Sequence, residues 1–149
     1  MKLVIGTGVD WKKQDGVIGL DIIPEFNPDI VRDILRGLPF ADETFDEVEI
    51  HHVLEHVTGH LACKPTDNFD FVINEIYRVL KIGGIANFEM PYWKAEMAVE
   101  SAGHVRFFNE NSLVNFYSNP YGKEMHQSQF AQCIKAIVED NVVKIKLEK

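Results

Sequence analysis

Short apolar runs closed by glycine, proline or acidic residues, rather than long amphipathic stripes, set the pattern of this 149-residue chain. Leu3-Val4-Ile5 runs into Gly6-Thr7-Gly8, and Val17-Ile18-Gly19-Leu20 runs into Asp21. Both runs are too short for helices and lack polar alternation, so they predict strands of a parallel sheet buried on both faces. The proline-containing stretch IIPEFNP is a loop, and residues 29–33 predict a short third strand. A turn-rich segment with Gly37 and Pro39 follows. In residues 46–52, Val48 and Ile50 alternate with Glu47 and Glu49, which predicts a strand with one wet face. Between residues 68 and 80, Phe71, Val72, Ile76, Val79 and Leu80 recur at helical spacing, and Gly83-Gly84 is expected to stop that helix. Residues 85–90 predict a fifth strand. Asn109 is placed to cap a helix through Leu113, Val114 and Tyr117. The last twenty residues predict two strands around the turn Glu139-Asp140-Asn141.

Composition narrows what such a chain does. With 46% hydrophobic residues and no low-complexity stretch, residues 1–149 are expected to form one domain. A formal net charge of -8, with no basic run longer than Lys12-Lys13, argues against nucleic acid or an anionic membrane as partner. The opening MKLVIGTG is not patterned as a signal peptide, and no stretch has the length of a membrane span. Cys63 and Cys133 lie far apart and lack metal-type spacing, so reduced thiols in a cytoplasmic protein are expected.

The first two strands carry the clearest chemistry. A Gly-x-Gly turn lets backbone N–H groups approach a ligand closely, and an acid at the tip of the neighbouring strand can accept from a ribose diol. Gly6, Gly8 and Asp21 together describe a pocket for an adenosine-containing cofactor; the two glycines alone fit a tight strand-to-loop turn equally well. A dinucleotide fingerprint would need a third glycine where Trp11 stands, with a helix N-terminus aimed at a pyrophosphate. The segment between Asp10 and Gly16 is polar and too short for that helix, so a nicotinamide or flavin dinucleotide is disfavoured.

The phrases PFADETFDEVEIHHVLEHV and EIYRVLKIGGIANFEMPYW, followed by HVRFF at 104–108, resemble the class I S-adenosylmethionine-dependent methyltransferases. Within that class the chain is most similar to the type 11-like group, in a compact form whose first helix is replaced by a loop. The resemblance implies an α/β Rossmann-like sheet of order 3-2-1-4-5-7-6, with S-adenosyl-L-methionine as cofactor. It places Gly6, Thr7 and Gly8 against the methionine part, Asp21 on the ribose and Ile22 on the adenine. Asp33, with Ile34 beside it, matches the acid that accepts from the adenine amino group. His51 and His52 would border the sulfonium and the substrate entrance. Two positions depart from the family pattern: Val4 stands where an acid is usual, and the third glycine of the turn is absent.

Methyl transfer from an activated sulfonium needs in-line placement and, for a hydroxyl acceptor, a base. His104 and His56 are the candidate catalytic residues, since an imidazole can take a proton near neutrality; His56 can instead be a helix-start histidine bonded to backbone, and His104 a surface loop residue. Arg106 is a candidate for an acidic group on the substrate, or the partner of a protein carboxylate. Tyr92 and Trp93 complete the candidate substrate side. Glu55 and Arg78 are read as a structural ion pair. His51, His52, His56, His60 and Cys63 crowd one region, but a strand end and Gly59 break the helical spacing, so no metal site is expected among them.

The favoured function is methyl transfer to a small-molecule or glycan acceptor. The alternative is an S-adenosylmethionine-binding module without catalysis that serves regulation or assembly; a nucleotide-sugar or dinucleotide enzyme is disfavoured by Trp11. Right-handed crossovers put the two clear helices on one face of the sheet. Glu47, Glu49, Asn87, Glu89, Lys144 and Lys146 are then expected on the other, wet or covered by a second subunit in a homo-oligomer. The cofactor pocket would lack one wall.

Overall fold

The computed structural model describes residues 1–59, 68–117 and 130–149. Among them, β1 (Lys2–Ile5), β2 (Val17–Asp21), β3 (Ile30–Val31), β4 (Phe45–His51), β5 (Leu80–Pro91), β6 (Gln132–Glu139) and β7 (Val142–Glu148) form one sheet of order β3-β2-β1-β4-β5-β7-β6. The first five strands run parallel, while β7 is antiparallel to both β5 and β6. This is the order that the sequence resemblance implied. The hairpin between β6 and β7 turns on Asp140 and Asn141, with φ of 50° and 64°, the left-handed pair that a two-residue turn between twisted strands requires.

Alternation along the strands divides the sheet into two unlike faces. Leu3, Ile5, Leu20, Val48, Ile50, Phe88, Ile145 and Leu147 belong to one buried cluster. Onto it α1 (Asn68–Val79) lays Val72, Ile73, Ile76 and Val79, all buried at near-helical spacing. The short α3 (Val114–Tyr117) joins the same cluster through Val114 and Tyr117. It follows a turn in which Asn109 Oδ1 accepts from Asn111 N at 2.9 Å.

The opposite face is polar and half-exposed. Glu49, Asn87 and Lys146 stand in register across β4, β5 and β7, and Glu89 faces Lys144. Asn87 Nδ2 donates to Glu47 Oε1 at 2.6 Å, and Lys2 Nζ lies 2.7 Å from Glu49. Burial alone would raise the pKa of Glu49, but the hydrogen bonds from Lys2 and His51 prevail and hold it below its ordinary value.

Three features differ from the sequence reading. The helix ends at Val79 and β5 begins at once, running through Gly83-Gly84, so the glycines lie inside a strand rather than stopping a helix. A four-residue helix, α2 (Met97–Glu100), forms in a stretch where none was expected. Arg78 does not pair with Glu55. It lies on α1 three residues from Glu75, one helical turn away, and bonds Glu75 and Asp42 together with the carbonyl oxygens of Leu38 and Phe40.

Candidate functional site

The chain leaves β1, β2, β3 and β4 at one edge of the sheet, around a cavity of about 770 Å³, a volume ordinary for a cofactor site. The exit from β1 is unusually close to the end of β4. A Cβ on Gly6, whose φ is 79°, would stand 2.3 Å from His51 O and 2.6 Å from Val53 Cγ2, so only glycine fits. Asp21 holds the glycine turn from below. Its Oδ2 accepts from Gly8 N at 3.2 Å and from Thr7 Oγ1 at 3.3 Å, and its Oδ1 accepts from Ile23 N at 3.0 Å.

Asp33 caps the 3-10 turn Ile34–Arg36, accepting from Leu35 N at 2.9 Å, and the turn presents Ile34 to the cavity. Ile22, 60% exposed, also lines the cavity. His51 closes β4 with its ring between two acids, Nδ1 at 3.1 Å from Glu89 and Nε2 at 3.3 Å from Glu49. Its ring also borders a smaller cavity of about 300 Å³ shared with Trp11, Lys2 and Glu49. His52 adopts φ 49°, rare for a side-chain-bearing residue, while its N donates to Glu89 O at 3.0 Å. The Glu55 carboxylate beside it raises the pKa of His52, against the opposing effect of burial.

Every residue assigned to the cofactor from the sequence lines the larger cavity: Gly6, Thr7, Gly8, Asp21, Ile22, Asp33, Ile34, His51 and His52. His56 lines it as well. His104, outside the lining, packs edge-on against His56 with ring centres 4.6 Å apart. Nδ1 of His56 lies 3.2 Å from Gly103 O, and Nδ1 of His104 lies 3.3 Å from Ala98 O. Arg106, Tyr92 and Trp93 lie outside the lining. Arg106 Nε donates to Val57 O at 2.7 Å, and its guanidinium sits 4.7 Å over the Phe69 ring. Trp93 is 48% exposed beside Tyr92. His60 and Cys63 lie outside the described residues.

Phe26, Arg32, Leu35 and Val53 also line the cavity and were not singled out from the sequence. Phe26 carried the one usable signal, the single aromatic in the proline-containing loop IIPEFNP. Among the described residues, no helix is long and apolar enough to cross a membrane.

A methyltransferase domain family model matches residues 6–88. No curated protein shows a significant sequence match to the chain. Solved structures share its fold at low identity. The N-methyltransferase NodS from Bradyrhizobium japonicum aligns with TM-score 0.65 and 12% identity, over 99% of this chain and 84% of that one. A SAM-dependent methyltransferase from Aquifex aeolicus aligns with TM-score 0.64 and 12% identity, over 98% and 80%. The trans-methyltransferase CalH, complexed with S-adenosylhomocysteine, aligns with TM-score 0.69 and 14% identity, over 99% and 50%. At such identities the likeness is one of fold.

Proposed function

Because the chain belongs to the methyltransferase domain family, whose cofactor is S-adenosylmethionine, we propose that it transfers the sulfonium methyl group to a small-molecule or glycan acceptor presented at the His52–His56 side of the cavity. The observation that carries this reading is the convergence of all nine cofactor candidates, from four separate loops, on one cavity of suitable volume. In this reading the methionine part lies against Gly6, Thr7 and Gly8. The ribose hydroxyls donate to Asp21, the adenine stacks on Ile22, and its amino group donates to Asp33 beside Ile34. His51 and His52 border the sulfonium.

The cofactor supplies an activated methyl group, and the chain supplies placement and proton transfer. The acceptor atom attacks the methyl carbon in line with the carbon–sulfur bond, and S-adenosylhomocysteine leaves as a neutral thioether. An acceptor hydroxyl needs a base, for which His56 and His104 are the candidates. Arg106, Tyr92 and Trp93 would act on the acceptor side only by contacting parts of it that extend beyond the cavity.

Calorimetry with S-adenosylhomocysteine and NAD, followed by turnover assays on a panel of hydroxylated small molecules and sugars, tests the proposal. Binding of S-adenosylhomocysteine with turnover of an acceptor is expected. Binding without turnover on any acceptor would favour the cofactor-binding module, and binding of NAD instead would overturn both.

A further inference from the structure

We propose that Glu55, His56 and His104 bind a divalent first-row cation at the mouth of the cavity. Zinc suits this donor set, and the cation would present the oxygen of a hydroxyl acceptor to the methyl group. The second half of the proposal rests on the methyl-transfer reading above; the first does not.

Three observations carry the cation site. One donor atom from each of Glu55, His56 and His104 lies within 4.8 Å of the other two, a spacing that small side-chain rotations close onto metal bonds of about 2 Å. Glu55 is 1% exposed; its Oε1 meets only His52 Nδ1, at 3.3 Å, and its Oε2 has no partner, although buried carboxylates are ordinarily fully paired or bound to metal. The two rings are also held as metal-ligating histidines usually are. Each places Nδ1 against a backbone carbonyl, Gly103 O or Ala98 O, which selects the tautomer with a lone pair on Nε2.

The competing answer to the buried charge is a protonated His52, whose Nδ1 lies 3.3 Å from Glu55 Oε1. That contact reaches one oxygen only, leaves Glu55 Oε2 without a partner, and does not account for the approach of His56 and His104. A cation answers all of them. The surrounding packing preserves the geometry: Val105 N donates to Glu55 O at 2.9 Å, and a Cβ on Gly103 would stand 3.2 Å from His56 Nδ1. Sequence spacing grouped His56 with His52, His60 and Cys63. The fold groups it with Glu55 and with His104, which comes from a separate loop.

Two histidines and a carboxylate leave coordination positions open, as in catalytic rather than structural zinc sites. His56 lines the cavity, so an open position can face a bound acceptor. A metal-bound hydroxyl loses its proton to solvent far more readily than a free one. The resulting oxyanion forms the new oxygen–carbon bond with the methyl group as the carbon–sulfur bond breaks, and that bond pair stays on sulfur. With the cation in place, His56 and His104 act as ligands, and the cation takes over the task of the base.

The test uses the full chain, stripped with EDTA and titrated with cobalt(II) chloride, with visible absorption and elemental analysis as readouts. S-adenosylhomocysteine binding is measured in parallel by calorimetry. The parent is expected to bind about one cobalt per chain, displaced by zinc, with d–d bands of a nitrogen–oxygen site. Glu55→Gln and His104→Ala, checked for folding by circular dichroism, should each weaken cobalt binding at least about tenfold. A folded parent that binds S-adenosylhomocysteine but neither cobalt nor zinc overturns the site, as does parental cobalt affinity in a folded His104→Ala variant. If the variants do not fold, the parent titration alone decides. Metal binding without S-adenosylhomocysteine binding would instead sustain the site and sink the methyl-transfer reading.

Discussion

Trp11 rests directly on Gly19: a Cβ added to Gly19 would meet the indole Cε2 and Cζ2 at 2.5 Å. Gly19 pairs in register with Val4, and Val4 is only 7% exposed on a sheet face that is mostly polar. A single side chain from the loop after Gly8 thus covers the first two strands. Gly19→Ala should destabilise the fold by about 1–3 kcal/mol through overpacking. Denaturant unfolding would measure this, and a red shift of Trp11 fluorescence in a Trp93→Phe background would show the indole displaced. Unchanged stability and emission would mean that the contact is not kept in solution.

Asp21 has two tasks, holding the Gly6–Gly8 turn in the free chain and accepting from the ribose when cofactor binds. Asp21→Ala removes charge-assisted hydrogen bonds of about 1.5–3 kcal/mol each. Affinity for S-adenosylhomocysteine should fall by about one to three orders of magnitude. Calorimetric binding equal to the parent would remove Asp21 from the site.

Ile22 is 60% exposed in the free chain, although it lies on the wall assigned to the adenine. Covering it is worth about 1–2 kcal/mol at ~25 cal/mol per Å². Ile22→Ser should therefore weaken S-adenosylhomocysteine binding about tenfold and leave thermal stability close to the parent. A loss of stability without a loss of affinity would contradict the placement.

Glu75 links α1 to the loop before β4, accepting from Leu38 N at 2.7 Å and pairing with Arg78. The hydrogen bond from Arg78, aided by Leu38 N and opposed by burial, lowers its pKa below the ordinary 4.5. A carboxyl with a depressed folded pKa binds fewer protons folded than unfolded. Its stabilisation is therefore complete above about pH 5 and is lost as pH falls from 4.5 through the lower folded value. The stability difference between the parent and Glu75→Gln should be constant at neutral pH and shrink below pH 4.5 in denaturant titrations. A difference independent of pH down to 3 would show that the pair contributes nothing.

Much of the fold was legible along the chain because it depends on local period. Unbroken apolar runs marked β1 and β2, and strict alternation in β4 and β5 assigned Glu47, Glu49, Asn87 and Glu89 to one face before any partner strand was known. The period of a strand is two, so the facing of each side chain follows from its parity. The Gly6–Gly8 turn and Asp21 were legible for a similar reason: they close adjacent strands, and their chemistry depends on strand ends alone. Contacts between loops far apart in sequence were not legible. Trp11 looked like a misfit for a third glycine until β2 brought Gly19 beneath it. Arg78 was matched with Glu55, whereas α1 turns it toward Glu75 and the carbonyl oxygens of the loop before β4. His104 comes within 4.6 Å of His56 only because the chain after α2 folds back, with Val105 bonded to Glu55 O. Residue pattern determined the sheet, its two faces and the cofactor loop, whereas tertiary packing decided which loop side chains share a buried space, since that depends on where distant segments are closed against one another.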